Sequence, residues 1–112
     1  MDKIIVGLVE KVKLNGGEEV LARIDTGATN SSIDLTLASK LKLGPVIQSK
    51  LIKSANGTKL RPVIESEIEI CNRKTKAHFN LADRSHMKYP VLIGQNVLKK
   101  GFLIDPAKED KK

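Results

Sequence analysis

From Ile4 to Leu14 apolar residues recur at Val6, Leu8, Val12 and Leu14, a partial alternation that predicts a strand. Asn15-Gly16-Gly17 follows, and Asn and Gly tolerate the positive φ of a tight hairpin turn. From Glu18 to Ile24 the pattern is strict, with Val20, Ala22 and Ile24 on one face and Glu19, Leu21 and Arg23 on the other. Residues 4–24 therefore read as one β-hairpin.

Small and polar residues, Asp25-Thr26-Gly27-Ala28, interrupt the pattern, and Ser31-Ser32-Ile33 resumes it briefly. Asp34 is placed to cap a short helix whose apolar residues are Leu35, Leu37, Ala38 and Leu41, and Gly44-Pro45 stops it. Val46 to Lys53 is extended, and Asn56-Gly57 marks a second hairpin turn. Thr58 to Cys71 returns as a long strand in which Ile64, Ile68 and Ile70 alternate with Glu65, Glu67 and Glu69, with a slip near Ser66. A turn at Asn72-Arg73-Lys74 leads into a strand from Thr75 to Leu81. Tyr89 to Gly94 is a short apolar strand, Gln95 to Lys100 one or two helical turns with Val97 and Leu98 inward, and Phe102-Leu103-Ile104 a last strand. The sum is a mostly antiparallel β domain with two short helices, over residues 1–106, and a charged tail over 107–112 expected to fray.

The chain has 112 residues, one domain by size, too short for two lobes with a cleft between them. A cleft of that kind would need a second copy. Aromatic residues make up 3% with no Trp, so any pocket is lined by aliphatic side chains. Twenty Lys and Arg against 13 Asp and Glu give a net charge of +7, which suits an acidic partner. The basic residues are scattered and lack interleaved aromatics, which argues against a nucleic-acid footprint. The single Cys71 excludes an internal disulfide. No leader-like apolar segment and no stretch of about 20 apolar residues is present, so the expectation is a cytoplasmic protein without a membrane span.

Candidate chemistry concentrates in Ile24-Asp25-Thr26-Gly27-Ala28, where an apolar strand runs into a carboxylate, a hydroxyl and a glycine. By itself this is also an ordinary β-turn. A second apolar strand ending in Ile93-Gly94, followed by a short helix, adds the context that a turn alone lacks. Two carboxylates a few ångströms apart cannot both ionise, so one donates a proton while the other draws one from a water that attacks an amide carbonyl. The chain holds one Asp-Thr-Gly, so such a pair would come from two copies on a two-fold axis.

These segments resemble the retropepsin-like aspartic proteases, the single-domain retroviral type. Ile24 to Ala28 is similar to that family's catalytic loop. Val91-Leu92-Ile93-Gly94-Gln95-Asn96-Val97-Leu98 is similar to its second signature. Ser85 to Pro90 and Gly101 to Pro106 resemble a prokaryotic branch labelled ATP-dependent zinc protease, whose genes often lie beside glutamate-ligating ribosome-modification enzymes. The resemblance spans residues 18–106.

The resemblance implies a mostly β fold, a closed acid-protease β-barrel with one or two short helices. It also implies a homodimeric endopeptidase acting on peptide or protein substrates, acidic ones in view of the charge. Asp25, Thr26 and Gly27 would be catalytic, with Thr26 tying the two loops across the axis. Ala28 and Thr29, a mobile flap at Ala55, Asn56 and Gly57, and the walls Val91 and Ile93, with Ile33 and Ile52, would meet substrate, although the turn reads equally as an ordinary Asn-Gly hairpin and core is the commoner role for most of these apolar residues. Ala28 stands where two-domain relatives often carry Ser, which implies a higher working pH. Thr29 and Gln95 replace a charged pair of the viral enzymes and imply a Thr–Gln hydrogen bond in its place. Asp83 and Arg84 form either a local ion pair or a turn.

His78, His86 and Cys71 lack metal-ligand spacing, and no phosphate-binding loop is present, so neither metal nor cofactor is expected. A catalytically silent dimer of the same fold, or a basic ribosome- or nucleic-acid-associated module, are the alternatives.

Overall fold

The computed structural model describes residues 2–55 and 57–108. Nine strands and two helices follow one another: β1 (Ile4–Val6), β2 (Val9–Leu14), β3 (Glu19–Ile24), β4 (Ser31–Asp34), α1 (Leu35–Lys40), β5 (Val46–Ser54), β6 (Gly57–Ile70), β7 (Arg73–Ala82), β8 (Val91–Ile93), α2 (Gln95–Leu98) and β9 (Phe102–Ile104). The main sheet runs β2-β3-β8-β4-β7-β6, and β6 pairs back onto β2 through Val12↔Ile70 and Leu14↔Ile68. That last pairing closes a six-stranded barrel and leaves β5 outside it, attached to β6 alone. The fold is mostly β, a closed barrel with two short helices, as the resemblance implied.

The barrel is filled by aliphatic side chains around one aromatic ring. Phe79, Leu14, Ile33, Ile64, Ile68, Ile70, Val91 and Ile93 are fully buried. At about 1.5–3 kcal/mol for each large apolar side chain removed from water, these residues dominate what holds the barrel together. The slip at Ser66 is a polar side chain on the core face of β6, 2% exposed. Its hydroxyl lies 3.1 Å from Asn15 Oδ1, on the turn between β2 and β3.

Several local expectations hold. Asp34 caps α1, accepting from the Thr36 and Leu37 amides at 3.2 and 3.3 Å. Val97 and Leu98 of α2 point inward. Asn15 and Gly16 both take positive φ in the first hairpin turn.

Two expectations are corrected. Residues 4–24 are not one hairpin. The chain bends at Gly7-Leu8, where the Gly7 amide donates to Glu10 Oε2 at 2.7 Å, and β1 leaves to pair in parallel with β9. Only β2 and β3 form the hairpin, and Leu8 is exposed at the bend. The turn after β6 is the two-residue Cys71-Asn72, both at positive φ, so β7 begins two residues early at Arg73. The expectation of a mostly antiparallel domain holds: among the described residues β2–β3, β2–β6, β4–β8, β5–β6 and β6–β7 are antiparallel. β1–β9, β3–β8 and β4–β7 are parallel, which alternation cannot reveal because it shows a strand's faces but not its partner or sense.

Within the segment expected to fray, Lys108 is tied to the barrel. Lys108 Nζ donates to Glu10 Oε2 at 2.8 Å and to the Ile5 carbonyl at 3.0 Å. Glu10 is 8% exposed, and these donors satisfy its carboxylate. Arg73 adds a second tie, from its guanidinium to the carbonyls of Gly101 and Asp2, with the cation over the Phe102 ring.

Candidate functional site

Parallel pairing of β3 with β8 sets Ile24 against Ile93, so both strands end at the same level. The segments that follow them, residues 25–29 and 94–96, are thereby brought together. The Asp25 amide donates to the Ile93 carbonyl at 2.9 Å, the Gln95 amide to the Ala28 carbonyl at 2.8 Å and the Asn96 amide to the Thr29 carbonyl at 3.2 Å. Gly94 is required at the crossing. A Cβ there would lie 2.7 Å from the Ala28 carbonyl oxygen and closer still to that of Asn30.

Within the loop, Asp25 Oδ1 accepts the Gly27 amide at 2.9 Å, which fixes the carboxylate against its own backbone. Asp25 and Ala28 are half-buried, while Thr26, Gly27 and Thr29 are exposed. Gly27 keeps the approach open, since a Cβ there would meet Asp25 Oδ1 at 3.2 Å. The loop thus presents a held carboxylate beside an exposed hydroxyl at the end of the barrel.

The Thr29–Gln95 bond does not form. Gln95 Nε2 donates instead to the Thr26 carbonyl at 2.7 Å. A neutral amide has no charge to seek on residue 29, and the Thr26 carbonyl is an acceptor within its reach. Val91 and Ile93 are 0% exposed and pack behind the loop rather than on its open face. Ile33 and Ile52 are buried with them.

The β5–β6 ribbon carries Ala55, which is exposed, and Gly57, with φ of 102°. Asn56, the centre of the expected flap tip, lies outside the described residues. Directly opposed pairs Lys50↔Arg61 and Ile52↔Lys59 share one face of the ribbon, and Leu51↔Leu60 occupy the other. The first face turns toward the loop: Ile52 is buried, and Lys50 Nζ reaches Asn30 Oδ1 at 3.4 Å. Between them lies a polar cavity of about 30 Å³, lined in part by Asn30, Gln48, Lys50 and His78, the share of liquid volume of one water.

Asp83 and Arg84 form a turn, not a pair. Asp83 Oδ1 accepts the Ser85 hydroxyl and amide at 2.6 and 3.0 Å, and these bonds hold its carboxyl below its ordinary range. The Arg84 amide donates to Asp34 Oδ1 at 2.8 Å, and its Nε to the Tyr89 carbonyl at 3.1 Å. Its guanidinium is half-buried, and burial is the main influence disfavouring its charge. Arg23 and Arg61 act in the same direction, while Asp34 and Asp25 oppose them. Arg84 therefore feels the Asp25 carboxylate, though less than it feels Arg23, Asp34 or Arg61. Among the described residues no three His, Cys, Asp or Glu side chains converge as a metal site. Nor is any helix long and apolar enough to cross a membrane.

A family model described as RimB-like, retropepsin-like aspartic endopeptidase RimB, matches residues 36–111, two-thirds of the chain. The chain belongs to the RimB-like family. The match begins within α1, so residues 25–29 lie outside it and their chemistry rests on the geometry above.

Three solved structures share the fold of this RimB-like chain. A Legionella pneumophila protein of unknown function, Lpg0085 (DUF785), is 20% identical with a TM-score of 0.67, the match covering 95% of each chain. EIAV protease, solved with the inhibitor HBY-793, is 22% identical with a TM-score of 0.69, covering 81% of this chain and 84% of that one. The foamy viral protease-reverse transcriptase, solved with an RNA/DNA hybrid, is 23% identical with a TM-score of 0.66, covering 82% of this chain and 11% of that one. No curated protein matches.

The side chains beneath the loop escaped the sequence reading. Ser31, 0% exposed, accepts the Gly94 amide on Oγ at 2.9 Å and donates to Asn96 Oδ1 at 2.7 Å. Asn96 Nδ2 continues to the His78 carbonyl at 2.9 Å. Nothing in the spacing of Ser31, Asn96 and His78 marks them as neighbours; only the pairing of β4 with β7 and β8 does.

Proposed function

We propose that two copies of this chain form an aspartic endopeptidase, with residues 1–106 as the protease domain and 107–112 as its tail, working in the cytoplasm. The observation that carries the reading is the Asp25 carboxylate, held by the Gly27 amide at 2.9 Å where β3 and β8 end together. One chain supplies one such carboxylate. Two loops facing across a two-fold axis would bring the pair together, with each Thr26 hydroxyl near the axis.

Of two carboxylates at that distance, one keeps a proton. The ionised one takes a proton from a bound water, whose oxygen bonds to the peptide carbonyl carbon. The protonated one hydrogen-bonds the oxyanion and then gives its proton to the leaving amine nitrogen as the C–N bond breaks. Gly27 leaves the backbone open for substrate to lie against the loop, beside Ala28 and Thr29. The β5–β6 ribbon, with Ala55, Asn56 and Gly57 at its tip, would close over it.

Acidic peptides suit this cleft. Arg84 feels the Asp25 carboxylate, and Lys50 and Lys59 lie on the ribbon face turned toward the loop. A substrate carboxylate would find several cations and lose little by leaving water.

The test is peptidase activity on a Glu-rich peptide, with wild type and Asp25→Asn side by side. Activity that a statine-type inhibitor blocks and the substitution abolishes is the expected result. A folded dimeric wild type that cleaves nothing would favour the silent peptide-binding alternative.

A further inference from the structure

Arg61 stands on β6 opposite Lys50, on the ribbon face turned toward the loop. Its Nη1 donates to Asn80 Oδ1, on β7, at 3.1 Å. Asn80 is 4% exposed, and its Nδ2 donates to the Ser31 carbonyl at 3.0 Å. Ser31 begins β4 directly after the loop and holds the Gly94 amide and Asn96. A continuous run of hydrogen bonds therefore leads from the ribbon, through β7, to the point where the two segments of the site cross.

Asn80 is the decisive member. Both ends of its amide are engaged, so the group cannot turn without losing two bonds, one of them from a charged donor. The bond it takes from Arg61 is charge-assisted and stronger than one between neutral groups. Among the described residues Arg61 forms no salt bridge, and its guanidinium bonds to this amide. Lys53, on the outer face of the same ribbon opposite Thr58, has no place in this run.

We propose that Arg61 is a positioning residue: by fixing Asn80 it fixes the Ser31 carbonyl, and so links the setting of the β5–β6 ribbon to the seat of the Asp25 loop. Its catalytic consequence rests on the peptidase reading; the link itself does not. Displacements of an ångström in a held carboxylate are costly to a reaction, so loss of the link should lower kcat rather than weaken binding.

The experiment compares wild type, Arg61→Met, Arg61→Lys and Lys53→Met as full chains. Hydrogen exchange of the Gly94 amide and the Asn80 side-chain amide is read by NMR beside peptidase kinetics. Arg61→Met should speed Gly94 exchange about tenfold and lower kcat about tenfold with KM within about twofold. Arg61→Lys, which keeps a charged donor, should recover most of both, and Lys53→Met should match wild type. Gly94 exchange unchanged in Arg61→Met, or changed equally in Lys53→Met, overturns the proposal. If no chain cleaves peptide, the peptidase reading fails while exchange still decides the link. Arg61→Gln takes the same readings should Arg61→Met not fold.

Discussion

The amide of Asp25 donates to the carbonyl of Ile93 at 2.9 Å, extending the parallel β3–β8 ladder one residue beyond Ile24↔Ile93. The position of the carboxylate is thus set by barrel backbone rather than by loop side chains. Mutations that part the two strands should act on the site before they act on the rest of the fold.

Gly94 is where this is tested most simply. Gly94→Ala places a Cβ 2.7 Å from the Ala28 carbonyl oxygen, and backbone rather than a flexible side chain must yield. Overpacking of this kind costs about 1–3 kcal/mol. The expected outcome is a thermal midpoint lower by roughly 4–8 °C per kcal/mol lost and no measurable peptidase activity. A variant with wild-type Tm and activity would show that the crossing is not tight.

Phe79, 0% exposed, is the largest fully buried side chain of the barrel. Phe79→Ala should cost about 3–5 kcal/mol, most of the stability of a small domain. Urea unfolding measures it, and a loss under 1 kcal/mol would mean the barrel closes without the ring.

Arg84→Met should raise KM for Glu-rich peptides, with less effect on neutral ones. The guanidinium feels the Asp25 carboxylate, so removing it takes positive charge from the side of the site where an acidic substrate residue would bind. The difference between wild type and variant should shrink as salt is raised from low to about 1 M, where screening reaches about 3 Å. An equal effect on acidic and neutral peptides would assign Arg84 to the fold alone, through its bond to the Tyr89 carbonyl.

Lys108 gives a pH prediction at the alkaline end. Its bond to Glu10, the leading influence, raises its pKa above the ordinary value for lysine. A raised folded pKa contributes stability that is fully present below the unfolded value of about 10.4 and is lost as pH rises through the folded one. Lys108→Met should therefore be less stable than wild type at neutral pH, and the gap should close only above about pH 10.4. A gap that is constant through that range would mean the alkyl stem, not the charge, does the holding.

Much of this was legible in the sequence, for identifiable reasons. Alternation at Val20, Ala22 and Ile24, the Asn15-Gly16 turn and the Asp34 cap are local rules, and the chain obeys them. The two site segments could be named because each follows an apolar strand. What local rules do not encode is partnership. Parallel pairing of β1 with β9 and of β3 with β8 joins residues distant in sequence, and pairing of β4 with β7 and β8 brings Ser31 to Asn80 and to Asn96, whose segment was recognisable but whose partner was not. Gln95 turned to Thr26 rather than Thr29 because a neutral side chain is placed by reach, not by charge. Val91 and Ile93 read as wall or core from their apolarity, and barrel closure put them inside.

On the proposed function, one Asp-Thr-Gly per chain makes the site a property of two copies. The direct measurement is peptidase rate per chain against chain concentration, with the dimer fraction followed by sedimentation at the same concentrations. The proposed function requires the rate per chain to rise with concentration and level off in step with the dimer fraction. A rate per chain that stays constant while the protein sediments as a monomer would contradict it.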